Sequence, residues 1–403
     1  MLLLEKFIFG TSIYVTRNYL IAFTISIISL SSCIDKYAPG EEDLNIGTLA
    51  VSAHLTNRQG IKTIQISRTV SLDVTVFNPV TACYVEVERS DGEIRVFEES
   101  DPGYYQCDLD EPFLETGGQY HLSIVTPEGE RYESEYETMY PAPEIEALYY
   151  EIESQPTDDP DIYDQGLRFF VDFEIENDSG RYLRWEMEET FEVHNPDYPT
   201  RMYGVDRRWY DVSSEEKWLK CWLFRSIPEI YTMDLKNVAG NSYKKFPLNF
   251  VSGSTRKLLE GYSILVRQYA HSEDAFWYWS ELAKNVQSKG GLFDTQPALT
   301  PSNICNVGDE NEPVIGYFSI SGISEKRIFV GTVPGLELYN DPHYCSPGVY
   351  PRFLWNYPQD KLPFFVARAD IMGVFENGEV KDECVDCRLL KNSTNDKPAY
   401  WQD

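Results

Sequence analysis

The sequence predicts a mainly β protein, with an N-terminal sandwich of the immunoglobulin or fibronectin type followed by a larger β-rich domain that carries one amphipathic helix. Three observations lead to this prediction. Aromatic residues make up 14% of the 403-residue chain, and aromatic side chains favour strands over helices. Short runs of alternating apolar and polar residues recur along the chain, as half-buried strands require. Turn-forming residues separate the N-terminal runs at intervals of roughly ten residues.

The first 32 residues predict a secretory leader. Lys6 and Arg17 precede an apolar stretch over residues 19–30, which is too short to span a bilayer as a helix. The stretch ends in Leu30-Ser-Ser-Cys33, a pattern typical of a bacterial lipobox, in which the Cys is diacylated after cleavage. We therefore predict a signal peptide over 1–32, lipidation of Cys33, a tether over 33–43 and an acyl anchor in outer-membrane lipid. The alternative is an ordinary signal, or a membrane anchor, with an incidental Cys.

Residues 44–143 are predicted to form the sandwich domain. The alternating runs cover residues 49–55, 63–67, 84–88 and 94–97, and such a spacing of strands and turns is typical of antiparallel sandwiches. The Pro-containing segment at 139–143 predicts a domain boundary, because a proline restricts both its own backbone and that of the residue before it.

Residues 144–403 are predicted to form the second, β-rich domain. Its clearest element is a helix near 272–289, for which Ser272 is a suitable N-cap and which places Phe276 and Trp279 on one apolar face. Trp277 and Trp279 cannot both face the core, so we expect Trp277 or Tyr278 to be exposed. Gly290 and the glycine after it end the helix, and a Pro- and Cys-rich tail closes the chain.

The charge of the chain excludes several classes of partner. Lys and Arg number 35 against 65 Asp and Glu, which gives a formal net charge of −30. A surface of this kind repels phosphate backbones and anionic headgroups. We expect no nucleic-acid partner and no electrostatic membrane binding.

The cysteines beyond the lipobox indicate an oxidising compartment. Cys83 and Cys107 lie on two strand-like runs of the sandwich and are predicted to pair. Cys384-Val-Asp-Cys387 is a C-x-x-C motif, which suits either a redox pair or half of a zinc site. The motif lies in a polar tail and lacks a second ligand pair, so we predict instead a disulfide from Cys345 to Cys384 or Cys387.

Motifs for catalysis and metal binding are missing from the sequence. It contains no G-x-S-x-G, H-E-x-x-H or phosphate-binding loop, and its five His are scattered. A run of acidic residues at 158–164 departs from the EF-hand pattern, because Asp164 and Phe170 occupy the positions of the required Gly and Glu. An irregular calcium loop stays an alternative, but we expect no catalytic residues, no metal and no cofactor.

Aromatic residues crowd one stretch of the second domain, where they predict either core packing or a stacking platform for a ligand. We favour the core. The residues are Trp185, Tyr203, Trp209, Tyr210, Trp218 and Trp222.

A set of motifs resembles a known family. They are the lipobox, Leu72-Asp73 after Ser67-Arg68, residues 126–134, residues 262–269, Gly316–Ser321 with Glu325–Arg327, and Cys384–Arg388 ahead of Lys397-Pro398 and Trp401. Together they resemble a Bacteroidetes-type family of outer-membrane lipoproteins of unknown function (DUF4249-like), often encoded beside TonB-dependent receptors. The resemblance implies an accessory or ligand-capturing role near such a receptor, and it supplies no catalytic residues.

We therefore expect a non-catalytic outer-membrane lipoprotein, facing the periplasm or the cell surface, that works with a TonB-dependent transporter. One alternative is a secreted hydrolase with paired carboxylates. Another is a structural or adhesive surface module.

Overall fold

The computed structural model of the chain describes residues 47–71, 76–159, 161–175, 180–195, 199–213, 216–236, 238, 240–287, 300–338, 344–346, 348–349, 358–371 and 374–402. The predicted leader, Cys33, the tether and the glycines after the helix lie outside the described residues. Within the described ranges, no helix is both long enough and apolar enough to cross a membrane.

The N-terminal part consists of short strands whose side chains alternate between a buried and an exposed face. In the first strand Leu49, Val51, Ala53 and Leu55 are buried, which is the period of two that the sequence predicts. The strands are Leu49–Thr56 (β1), Gly60–Arg68 (β2), Tyr84–Arg89 (β3), Ile94–Asp101 (β4), Tyr104–Leu109 (β5), Gln119–Val125 (β6), Arg131–Ser134 (β7) and Glu137–Thr138 (β8).

The rest of the described chain contains longer strands and three α-helices. The strands are Ile145–Pro156 (β9), Tyr163–Glu174 (β10), Tyr182–His194 (β11), Pro199–Tyr203 (β12), Trp209–Ser213 (β13), Lys220–Asp234 (β14), Ser242–Ser252 (β15), Tyr262–His271 (β16), Ile304–Asn306 (β17), Val314–Val330 (β18), Gly348–Val349 (β19), Phe364–Ile371 (β20), Val374–Val380 (β21) and Ser393–Thr394 (β22). The helices are Glu216–Leu219 (α1), Glu273–Gln287 (α2) and Asp382–Val385 (α3), and single 3₁₀ turns cover Arg256–Leu258, Gln359–Lys361 and Cys387–Leu389.

Strand β18 joins the N-terminal strands to the later ones. It pairs in parallel with β1, with Val51 opposite Gly316, and antiparallel with β16. The hydrogen-bonded order is β17-β7-β6-β3-β4-β5-β2-β1-β18-β16-β11-β14-β22, with β8 beside β6. Two smaller sheets have the orders β15-β10-β9 and β13-β12-β20-β21-β19. Strands β17 and β18, which follow residue 143, therefore pair with the N-terminal strands β7 and β1.

The strands enclose two large hydrophobic cores. The first is enclosed by β1, β2, β5 and part of β18 on one side and by β3, β6, β7 and β17 on the other. The second lies between the β15-β10-β9 sheet and the strands β11, β14 and β16. The predicted fold class, mainly β with sandwich-like packing of sheets and one amphipathic helix, is confirmed. The predicted boundary at 139–143 stays a prediction.

The amphipathic helix α2 has the N-cap that the sequence predicts. Ser272 Oγ accepts a hydrogen bond from the backbone N–H of Ala275 at 3.1 Å, so the side chain satisfies one of the helix's unpaired donors. Phe276 and Trp279 are buried, whereas Trp277 is 50% exposed. The sequence leaves open whether Trp277 or Tyr278 is exposed, and in the structure the exposed residue is Trp277.

The cysteines partly follow the prediction. Cys345 bonds to Cys384, one of the two predicted partners, while Cys387 bonds to Cys221. The C-x-x-C motif thus forms two separate disulfides, rather than a redox pair or half of a zinc site.

The predicted pairing of Cys83 with Cys107 is wrong, since both thiols are free. Cys83 directly precedes β3, Cys107 lies in β5, and β4 runs between these two strands. Two interstrand spacings amount to about 10 Å, and a disulfide needs Cα atoms within about 7 Å. Strand order, which the sequence does not show, keeps the two thiols apart.

Candidate functional site

A cavity of about 450 Å³ lies at one edge of the main sheet. It forms where the last residues of β11 and β18 meet the first residues of β14 and β16. The antiparallel register sets this arrangement, because His194 pairs with Lys220, Phe191 with Tyr262, and Tyr262 with Val330. The lining residues are Glu192, Lys220, Glu260, Gly261, Tyr262, Phe329, Val330, Gly331, Trp401 and Gln402.

The rim of the cavity carries two carboxylates and one ammonium group. Lys220 Nζ lies 2.7 Å from Oε1 of Glu192, and His194 Nε2 contacts the same carboxylate oxygen. The other ring nitrogen, Nδ1 of His194, lies 3.4 Å from Oε2 of Glu260. Among the described residues no lysine or arginine pairs with Glu260. The rim therefore has an excess of negative charge.

A second carboxylate–ammonium pair lies behind the cavity wall. Glu189 is buried, and its Oε1 lies 2.6 Å from Lys257 Nζ. Its Oε2 accepts a hydrogen bond from the Tyr262 hydroxyl at 3.0 Å. Burial, and secondly the Glu189 charge, raises the pKa of Tyr262 well above its usual value. Tyr262 therefore stays a neutral hydroxyl that orients Glu189.

Trp401 is the main apolar residue of the lining, and its indole lies close to Gly261. A Cβ atom at Gly261 would lie 3.1 Å from Cζ2 of Trp401, so a larger residue would push the indole away. Phe329 contacts Trp401 edge-on, with ring centroids 5.6 Å apart, and Trp222 contacts it at 6.3 Å. Edge-to-face contacts of this kind fix the orientation of aromatic rings.

The segment that supplies Trp401 is the end of the chain, and several contacts hold it to the sheet. The hydroxyls of Tyr400 and Thr190 lie 2.9 Å apart, and the Arg327 guanidinium lies 3.8 Å from the centre of the Tyr400 ring. The disulfide from Cys387 to Cys221 fixes the start of this segment to β14. One wall of the cavity thus depends on the C-terminal segment over residues 387–402.

The aromatic stretch at 185–222 follows the core prediction only in part, because three of its six residues are buried and Trp185 alone lies in the second core. Trp185 lies in the second core, and Tyr203 packs with Phe364 in the β13-β12-β20-β21-β19 sheet. Trp222 is buried behind Trp401, while Tyr210 is 43% exposed. The stretch does not form the stacking platform that was the alternative. The rings that line the cavity come instead from three distant positions, 262, 329 and 401, and no local pattern marks them.

Two carboxylates of the acidic loop at 158–164 accept hydrogen bonds, one from within the loop and one from the neighbouring strand β15. Asp159 Oδ1 accepts from the backbone N–H of Asp161 at 3.1 Å, and Asp164 Oδ1 accepts from the Ser252 hydroxyl at 2.7 Å. In the part of the chain that the structure describes, no group of three or more His, Cys, Asp or Glu is placed to hold a metal ion. Calcium binding by this loop gains no support.

A second polar cluster lies under α2, on the face of the sheet opposite the second core. The guanidinium of Arg184, only 2% exposed, lies 3.7 Å from the centre of the Trp279 ring, and its Nε donates to Nε2 of His271 at 3.0 Å. Desolvation, reinforced by the Arg184 charge, lowers the pKa of His54 to about 3 and that of His271 well below its usual value. Arg184 and His271 are buried, so this cluster serves the packing of α2.

A family model described as a domain of unknown function, DUF4249, matches residues 34–327. The chain belongs to the DUF4249 family. The match contains the first core, most of the second core, and the cavity residues Glu192, Lys220, Glu260 and Tyr262. Phe329, Val330, Gly331 and the C-terminal wall lie beyond the end of the DUF4249 match.

No curated protein matches the chain. Among solved structures, trypsin-activated alpha-2-macroglobulin from Escherichia coli is similar over 57% of this chain and 15% of its own, with 12% sequence identity and a TM-score of 0.18. The matched region is thus a small part of that larger chain, and a TM-score this low indicates neither a shared fold nor a shared function.

Proposed function

We propose that this DUF4249 protein is a lipid-anchored outer-membrane protein that captures a small ligand without transforming it and delivers it to a TonB-dependent transporter. The observation that carries the proposal is the cavity at the ends of β11, β14, β16 and β18, whose lining combines aromatic side chains with ion-paired ones. A concave site with an apolar wall and a few convergent polar groups is typical of small-molecule binding.

The disulfides support a location outside the cytoplasm. Two disulfides in the described residues link sequence positions 39 and 166 residues apart, and structural disulfides persist mainly in oxidising compartments. The lipobox at Cys33 supplies the anchor. Because the formal net charge is −30, acyl chains rather than basic residues are suited to hold the protein at a membrane.

The pairing of the carboxylates favours binding over hydrolysis. A glycosidase-type mechanism needs one carboxyl group that is kept protonated and a second that is free to attack or to activate water. Here Glu192 contacts both Lys220 and His194, and Glu189 contacts Lys257. Both carboxylates are thus engaged by side chains of the protein itself, so neither is free to attack a substrate or to activate water.

The partner is proposed from the family resemblance and is tested by a pull-down from native membranes. The full-length lipoprotein is extracted in mild detergent and recovered with a specific antibody, and an unrelated lipoprotein of similar abundance serves as the control. We expect near-stoichiometric recovery of a large outer-membrane barrel protein with this chain only. Recovery of the lipoprotein alone, or of the same barrel protein with the control, would contradict the transporter partnership.

A further inference from the structure

The charge of the cavity selects against anionic ligands. Among the lining residues that the structure describes, Glu192 and Glu260 are accompanied by one ammonium group, that of Lys220, in a chain whose formal net charge is −30. The charge of Lys220 is already matched by Glu192, 2.7 Å away. A phosphate or carboxylate group would therefore approach an excess of negative charge without a free cation to bind it.

The rim also offers donors and acceptors side by side. Lys220 supplies N–H donors, Glu192 and Glu260 supply acceptor oxygens, and Gln402 has both kinds of group. A simple organic cation would use only the acceptors and would leave the N–H donors of Lys220 and Gln402 without a hydrogen-bond partner on the ligand. A purely apolar ligand would desolvate these charges without replacing their hydrogen bonds to water, which is costly. Hydroxyl groups both donate and accept, and they match this rim.

The cavity lining also contains apolar side chains. Phe329 and Trp401 meet edge-to-face at 5.6 Å, and Val330 adds aliphatic surface. Aromatic and aliphatic side chains pack well against the C–H groups of a saturated ring. A ligand that fits offers both hydroxyls and C–H groups.

We propose that the cavity binds a neutral saccharide. Its volume of about 450 Å³ lies within the usual range for small-molecule sites, roughly 300–1,000 Å³. This inference rests on the proposed capture function and adds the chemical class of the ligand.

The test is isothermal titration calorimetry on the full-length lipoprotein in mild detergent. The probes are neutral methyl hexosides and disaccharides of gluco, galacto and manno configuration, glucuronate as the anionic analogue, and choline as a simple cation. We expect at least one neutral probe to bind and glucuronate to bind about tenfold more weakly or not at all. Binding of choline or glucuronate more tightly than every neutral probe, or binding of no neutral probe, would overturn the proposal.

Two variants locate the binding. Trp401→Ala removes the aromatic wall and is expected to weaken saccharide binding about tenfold or more. Gly331→Leu leaves Trp401 in place and adds a side chain at a lining position where a Cβ atom meets nothing within 4 Å, and it is expected to block binding. Trp277→Ala changes an exposed tryptophan on α2 outside the lining and serves as the matched control.

Unchanged affinity in Gly331→Leu would place the saccharide elsewhere and refute the assignment to this cavity. These results are separate from those on the transporter partnership. A protein that co-purifies with a barrel protein but binds no saccharide retains the proposed function and loses this inference. A protein that binds a saccharide but no barrel protein would retain this inference and lose the transporter partnership.

Discussion

Gly316 is the residue on which the parallel pairing of β1 with β18 depends. Its φ is +106°, and a Cβ atom there would lie 1.8 Å from the carbonyl oxygen of Val51. Positive φ and close backbone approach each favour glycine. Both constraints meet at the strand that joins the two cores.

We predict that Gly316→Ala destabilises the protein by about 3 kcal/mol or more, because the methyl group must displace the β1 backbone and also strains its own. Urea unfolding followed by tryptophan fluorescence measures the effect. Gly331→Ala, whose Cβ enters open space, is the control and is expected to change stability by less than about 0.5 kcal/mol. Equal unfolding midpoints for the two variants would show that the β1 backbone accommodates the methyl group without loss of stability.

His271 predicts a pH dependence of stability. Burial and the Arg184 charge hold its pKa well below 6.5 in the folded protein, so in mild acid the unfolded chain binds a proton that the folded chain does not. The contribution of His271 to the free energy of unfolding is fully present at pH values above the pKa that the histidine has in the unfolded chain. Below that pKa the contribution falls by about 1.4 kcal/mol per pH unit. Glu137 acts in the opposite direction, since burial raises its pKa.

We predict that His271→Gln reduces the slope of the unfolding free energy against pH between about 6.5 and 4.5. The contribution of His54, whose pKa is also lowered by burial, remains. The glutamine keeps an acceptor for Arg184 but does not titrate, and Glu137 is common to both proteins. Urea titrations at four pH values measure the slopes. His121→Gln, on β6 and outside this cluster, is the control. Parallel curves for wild type and His271→Gln would mean that the folded protein protonates His271 without loss.

At the scale of elements, the C-terminal segment depends on covalent links. The Cys345–Cys384 disulfide joins positions 39 residues apart, and Cys221–Cys387 joins positions 166 residues apart. In the chain-entropy model such links contribute about 4 and about 5 kcal/mol. The segment beyond Cys387 has only the two-residue strand β22 in the main sheet, so its backbone pairing alone is weak.

We predict that a reductant, or Cys345→Ser, exposes residues 340–403 to protease before the sandwich at 44–140 unfolds. Limited proteolysis with mapped cleavage sites measures the order of events. Cys83→Ser, which removes a free thiol, is the control and is expected to behave as wild type. Equal resistance of the tail with and without reductant would show that packing alone holds it.

At the scale of the whole molecule, we propose that anchoring rests on one residue, Cys33. We predict that Cys33→Ala leaves the protein unlipidated, either retained as precursor or released, because a surface with a net charge of −30 has little attraction for anionic lipid. Membrane fractionation and mass spectrometry of the N-terminal peptide are the measurements. Cys305→Ala, which replaces an exposed free thiol, should stay anchored and acylated. Acyl chains on the Cys33→Ala protein would refute the lipobox assignment.

Much of the fold follows from local patterns. The alternation of Leu49, Val51, Ala53 and Leu55 gives β1 its buried face, and Ser272 caps α2 where the periodicity begins. The sequence predicts Cys384 or Cys387 as the partner of Cys345, because both cysteines of the C-x-x-C motif lie in the same Pro- and Cys-rich tail. Each of these features depends on residues that are close in sequence, or on chemistry that one residue type supplies.

The sequence by itself therefore determined several strands of the sandwich, the helix and its cap, a disulfide of Cys345 with one of two partners, and the lipobox prediction. Tertiary structure alone decided that β4 separates Cys83 from Cys107, that Cys387 bonds to Cys221, and that Glu192, Tyr262 and Trp401 share one cavity. Periodicity reports which face of a strand is buried, but strand order and register depend on pairings between distant segments. The cavity is built from the ends of such strands, so its residues meet only when the whole sheet has formed.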